Sequence, residues 1–130
     1  MTRNTSTVLI VDDDADIREL IKLILEKYDY RVSVAADGSE ALAQLQAGAK
    51  PALIILDLMT PRIDGEQFVK RLRASSFATI PVVVMSGHHA AQKKADELGA
   101  VCCLTKPVEF DELLKTVRRF TPTRLKRDAA

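Results

Sequence analysis

The sequence predicts an α/β fold, a (βα)5 chain wound on both faces of one five-stranded parallel sheet. Three observations predict it. Leu53-Ile54-Ile55-Leu56 is a run of branched apolar residues without polar alternation, the pattern of a strand buried on both faces. Strand-like and helix-like segments alternate five times with short connections, and right-handed crossovers then require parallel strands with helices on both sides. Reactive polar residues stand at the carboxyl ends of the apolar runs, where open α/β sheets keep their ligand crevice.

The elements follow in order. Val8-Leu9-Ile10-Val11 is a short strand that ends in Asp12-Asp13-Asp14. Helical period begins at once, with Ile17, Leu20, Ile21, Ile24 and Leu25 on one face and Asp14 or a neighbouring carboxylate as a suitable N-cap. Val32 and Val34 alternate with Arg31 and Ser33, as on a half-exposed edge strand. Asp37-Gly38-Ser39 reads as a turn, with Ser39 capping a helix that carries Ala41, Leu42 and Leu45 and ends at Gly48. The central strand stops at Asp57, and Pro61 forbids further ladder pairing. Asp64-Gly65 opens a third helix with Phe68, Val69 and Leu72 inward and Gln67 completing a capping box. Val82-Val83-Val84-Met85 is a buried strand with Pro81 at its start and Ser86-Gly87 at its end. An alanine-rich helix then runs to Leu98 and stops at Gly99. Val101-Cys102-Cys103-Leu104 is the last strand, ending at Thr105-Lys106-Pro107, and Phe110, Leu113, Leu114 and Val117 mark the last helix. Residues 1–6 read as an N-terminal tail, 7–120 as one domain, and 121–130 as a tail or truncated linker.

Composition narrows the function classes. At 130 residues the chain suits a single core of ordinary size. Nineteen basic and 18 acidic residues give a net charge of +1, which argues against a dedicated nucleic-acid binder. No run reaches membrane-spanning length, and the apolar stretch after the polar N-terminus is too short for a signal peptide. A cytoplasmic protein is the expectation. Cys102 and Cys103 are adjacent on a strand and point to opposite faces, so they are expected to stay thiols.

At the strand ends stand Asp12 and Asp13 from the first strand, Asp57 from the third, Ser86 from the fourth and Lys106 from the fifth. Three convergent carboxylates repel one another unless a cation is present. They are hard oxygen ligands, too few for a closed cage, and suit Mg²⁺ with several waters retained. A lysine and a hydroxyl on the far side supply donors for an anion. A cation site and an anion site sharing one carboxylate suit phosphoryl transfer to that carboxylate. The blander reading takes each residue alone: a solvated helix start, an ordinary strand-end hydroxyl, a plain turn. The coincidence of five at one sheet edge favours a site.

Val11-Asp12-Asp13, Asp57 with Pro61 and Asp64-Gly65, Pro81 through Ser86-Gly87, and Lys106-Pro107 together resemble the motif set of the receiver domain of bacterial response regulators. The resemblance spans about residues 7–120. It implies the flavodoxin-like, CheY-like strand order 2-1-3-4-5. It implies Asp57 as phosphoacceptor from a histidine kinase or phosphotransfer protein, with Asp12, Asp13, Asp57 and the Met59 carbonyl holding Mg²⁺. Ser86 and Lys106 would contact the phosphoryl group, and a cis peptide at Pro107 would turn the lysine back into the pocket. Met59 and His88 occupy positions that tune phosphoryl lifetime. Receivers usually carry Tyr or Phe three residues before the lysine, as the aromatic that swings on activation; here that residue is Cys103. The chain would be a signalling phosphoacceptor that catalyses only its own phosphorylation and dephosphorylation. A phosphorylation-independent interaction module is the alternative, and Cys103 is what points to it.

Other readings fit less well. An aspartate-nucleophile hydrolase of the haloacid dehalogenase type matches at Asp12 and Asp14, but Asp16 stands where Thr or Val belongs. A flavodoxin would place a hydroxyl-rich phosphate loop where three aspartates stand, and these repel a flavin phosphate. His88-His89 reads as two exposed polar residues rather than a metal pair. Lys115, Arg118, Arg119, Arg124, Lys126 and Arg127 read as a solvated basic face.

Overall fold

A computed structural model describes residues 6–58, 65–87 and 91–121. The chain runs β1 (Thr7–Val11), α1 (Ala15–Lys27), β2 (Arg31–Ala35), α2 (Gly38–Gln46), β3 (Leu53–Asp57), α3 (Gly65–Arg73), β4 (Val82–Ser86), α4 (Ala91–Leu98), β5 (Cys102–Thr105) and α5 (Phe110–Phe120). The strands form one sheet in the order β2-β1-β3-β4-β5, and every pairing is parallel. The expected order is therefore the observed one. Among the described residues no helix is long and apolar enough to cross a membrane.

Alternation along the strands sorts the helices into two layers. Val8, Ile10, Leu53, Ile55, Val83 and Met85 face a core closed by Ile21 and Leu25 of α1 and Leu113 and Val117 of α5. Their neighbours Leu9, Val11, Ile54, Leu56, Val82 and Val84 face Leu45 of α2, Phe68, Val69 and Leu72 of α3 and Ala95 of α4. Every residue of β3 and β4 is buried. That burial on both sides explains why these two strands carry no apolar–polar alternation.

Three details differ from the sequence reading. Asp37, not Ser39, caps α2: it is extended, and its side chain accepts from the Glu40 N–H at 3.0 Å. Either residue can do this, but the cap must lie outside the helix, and helical geometry already begins at Gly38. Leu20 is 48% exposed and Phe110 is 54% exposed, although both fall on expected apolar faces. The sheet covers a stripe narrower than the one the 3.6-residue period draws. Asp14 does cap α1 as expected, accepting from the N–H groups of Asp16 and Ile17.

Candidate functional site

The site lies where β1, β3 and β5 end at the same sheet edge. Register fixes this: Val11 pairs with Leu56, and Asp57 with Met85, so Asp12 and Asp57 emerge side by side and Ser86 follows one strand over. Asp12 is fully buried, Asp57 is 5% exposed and Asp13 faces solvent. Carboxylate oxygens of all three lie within 4.8 Å of one another. Such a donor set, hard and open to water at Asp13, fits a small divalent cation that keeps part of its hydration shell.

Asp12 is held from several sides. Its N–H donates to the Ala35 carbonyl at 3.1 Å, which extends the β1–β2 ladder by one bond. Its Oδ1 accepts from the Asp14 N–H at 2.9 Å, and its carbonyl accepts from the Arg18 guanidinium at 2.8 Å. Arg18 was not singled out from the sequence. One turn into α1, it is placed to reach back over the β1–α1 connection, a signal readable only once Asp14 is known to be the cap.

Lys106 comes from the end of β5. Its N–H donates to the Ser86 carbonyl at 3.0 Å, and the bond to Pro107 is cis, as the resemblance implied. Its Nζ stands 2.9 Å from Asp57 Oδ2 and 3.1 Å from Asp12 Oδ2. The sequence reading put this lysine on the far side of the carboxylates, and the structure puts it between two of them. Two carboxylates this deeply buried require a cation in contact. Burial pushes the Asp12 carboxyl up from the ordinary carboxylate value, and the Asp57 charge adds to this, against the Asp14 N–H and Lys106. Burial works against the Lys106 charge, yet the hydrogen bonds to Asp57 and Asp12 outweigh it and hold the ammonium above its usual pKa.

Ser86 is buried at the end of β4, next to Thr105 of β5. Cys103 is half-buried on the α4 side of β5, packed against the second core layer. Met59, Pro61, Asp64 and His88 lie outside the described residues. Gly65 carries a feature that no motif signals by itself. A Cβ there would sit 2.8 Å from Leu58 Cα, so the start of α3 is pressed against the residue that follows Asp57.

A family model described as the response regulator receiver domain matches residues 8–118. The response regulator Rre1 of a Synechocystis strain is 37% identical over 116 residues, covering 86% of this chain and 50% of the relative. The chain thus spans about half the length of the curated relatives it matches. Among solved structures, the chemotaxis response regulator CheY4 of Vibrio cholerae superposes with a TM-score of 0.82 at 36% identity, covering 90% of this chain and 99% of that one. The response regulator TrrA of Thermotoga maritima, in complex with Mg²⁺-BeF, superposes with a TM-score of 0.80 at 28% identity, covering 89% and 99%.

Proposed function

The chain belongs to the response regulator receiver domain family, and from that premise we propose that Asp57 accepts a phosphoryl group from a phosphohistidine on a histidine kinase or phosphotransfer protein. The observation that carries this is the contact of Lys106 Nζ with Asp57 at 2.9 Å, inside a cluster of three carboxylates. Asp57 is buried, so its carboxylate meets the donor phosphorus with little water about it, and the phosphorus–nitrogen bond breaks as the phosphorus–oxygen bond forms. The freed imidazole keeps or takes up a proton from solvent. Lys106 is held by Asp12 beside it. Its ammonium transfers from the Asp57 oxygen to an oxygen of the phosphoryl group, where negative charge develops. The Ser86 hydroxyl, at the end of the neighbouring strand, turns toward the same group.

Asp12, Asp13 and Asp57 would hold Mg²⁺, together with the Met59 carbonyl, and the bound ion would neutralise charge on the transferring phosphoryl group. Asp13, exposed, leaves one side of that site open to exchange with solvent. Phosphorylation would alter binding to a downstream protein, and His88 and Met59 would set how long the acyl phosphate survives. The chain would act in the cytoplasm, without catalysing chemistry on any other substrate and without touching nucleic acid through this domain, given a net charge of +1.

Cys103 shapes the output. Thiol and methylene fill far less space than an aromatic ring, so less volume changes place when Ser86 moves. A ligand shifts a conformational equilibrium only as far as its affinity for the two states differs. The two states of this domain would therefore lie close in structure.

The test of acceptance is incubation with acetyl phosphate, with and without Mg²⁺. One acid-stable, base-labile phosphate per chain is expected, dependent on Mg²⁺ and lost in Asp57→Asn. An unchanged yield in that variant ends the reading.

A further inference from the structure

Strand β5 closes the sheet, paired only with β4 among the described residues. Between this edge and α5 lies a cavity of about 350 Å³ whose lining includes none of Asp12, Asp13, Asp57, Ser86 and Lys106. Its walls include Cys102 and Cys103 from β5, with Glu112, Lys115, Thr116 and Arg119 from α5. Successive strand residues face opposite sides. Cys102 packs with the core layer that holds Leu113, Leu114 and Val117 of α5, whereas Cys103 packs with the layer under α4. The thiol on the α5 side, facing this cavity, is therefore that of Cys102.

A second observation makes the cavity more than a gap beside a cysteine. Thr116 is 8% exposed, and its hydroxyl has no hydrogen-bond partner among the described residues. Native proteins rarely leave a buried hydroxyl unmatched, because its lost hydration is then uncompensated. This one lines a cavity large enough for a small ligand. Lys115 and Arg119, a turn apart and both solvent-facing, set two positive charges at the rim, with Glu112 as one negative charge beside them.

We propose that Cys102 is a thiolation site for an anionic, peptide-sized disulfide of the glutathione class, seated in the cavity between β5 and α5. The Cys102 thiol gives up its proton to solvent, and the thiolate attacks one sulfur of the incoming disulfide. The old sulfur–sulfur bond breaks as the new one forms, and the departing thiolate is protonated by water. The incoming disulfide is the oxidant, and one of its halves leaves reduced. Lys115 and Arg119 attract the carboxylates of the ligand, Glu112 faces its ammonium, and the Thr116 hydroxyl pairs with a peptide group. Cys103 packs on the opposite side of β5, and burial, with Cys102 and Asp96 nearby, pushes its thiol up, so it competes less well as nucleophile.

The whole chain is incubated with glutathione disulfide in a glutathione redox buffer and followed by intact mass and peptide mapping. One glutathionyl group is expected, on Cys102, absent in Cys102→Ser and present in Cys103→Ser. Reversing both charges (Lys115→Glu with Arg119→Glu) is expected to slow the reaction about tenfold. The same double variant should react with cystamine, a cationic disulfide, at least as fast as the wild type. Thr116→Val, nearly isosteric, should slow glutathione disulfide alone. An adduct on Cys103, no adduct under conditions that modify the unfolded chain, or equal slowing with both disulfides overturns the proposal. Melting curves of each variant separate loss of the site from loss of the fold.

Discussion

Asp12 and Asp13 stand next to each other in the carboxylate cluster, and replacing each by Asn should move stability in opposite directions. Oxygens of Asp12, Asp13 and Asp57 lie within 4.8 Å. At that separation each pair of like charges repels by about 3.5 kcal/mol at an effective dielectric of ~20, and by about 0.9 in bulk water. Asp13 faces solvent, so its share lies near the lower figure. Asp13→Asn removes two such repulsions and costs no hydrogen bond found at its side chain among the described residues. A gain of about 1–2 kcal/mol in metal-free buffer is expected, or about 3–12 °C in melting temperature for a domain of this size. Asp12 differs because its two oxygens have separate tasks. Oδ1 accepts from the Asp14 N–H and Oδ2 from Lys106. Asn has one acceptor oxygen, so one donor loses its partner at a cost of about 1–3 kcal/mol. The attraction to the Lys106 charge at 3.1 Å, about 5 kcal/mol at the same dielectric of ~20, is lost with the carboxylate; together these exceed the relieved repulsions of about 3.5 and about 0.9 kcal/mol. Urea denaturation of both variants in low salt, with and without Mg²⁺, measures this. Asp13→Asn should gain stability without Mg²⁺, lose that gain as salt rises, and respond less to Mg²⁺ than the wild type. Asp12→Asn should be less stable than the wild type and equally blunted toward Mg²⁺. If both variants shift the same way, the separate roles assigned to the two carboxylates are wrong.

Three further outcomes are expected. Gly65→Ala forces a methyl carbon to within 2.8 Å of Leu58 Cα, a backbone atom that cannot step aside, and should destabilise the fold by about 1–3 kcal/mol. Because Leu58 follows Asp57, the same variant should accept phosphate more slowly, and a melting curve equal to that of the wild type would refute the close approach. The Cys103 thiol, raised by burial and by its neighbours Cys102 and Asp96, should be alkylated with a pH midpoint above that of a free cysteine, read by mass in Cys102→Ser. The folded pKa lies above the unfolded one, so this thiol favours the fold below the unfolded value, and the contribution is lost as pH rises through the folded value. Amide shifts on adding beryllofluoride and Mg²⁺ should be smaller along residues 91–110 in the wild type than in Cys103→Tyr; equal shifts would contradict the muted switch.

Much of this was legible in the sequence. The unbroken apolar runs of β3 and β4 announce burial on two faces, and five alternations of period leave one topology once crossovers are right-handed. Site residues were legible because strand ends converge at one edge whatever the side chains do. What escaped the sequence depended on distances between elements. The width of sheet covering α1 and α5 decides that Leu20 and Phe110 face water, and periodicity carries no such width. Whether Lys106 lies beside the carboxylates or between them depends on how far its side chain reaches across the strand ends, not on its position in the chain. The reach of Arg18 to the Asp12 carbonyl and the press of Gly65 on Leu58 are likewise tertiary facts.

The claim that Asp57 is the acceptor has one direct test. An acyl phosphate on an aspartate is reduced by borohydride to homoserine, while a free carboxylate is untouched. After phosphorylation with acetyl phosphate and Mg²⁺, borohydride treatment and peptide mapping should find homoserine at position 57 and nowhere else. Homoserine at position 12 or 13, or at none of the three, would contradict it.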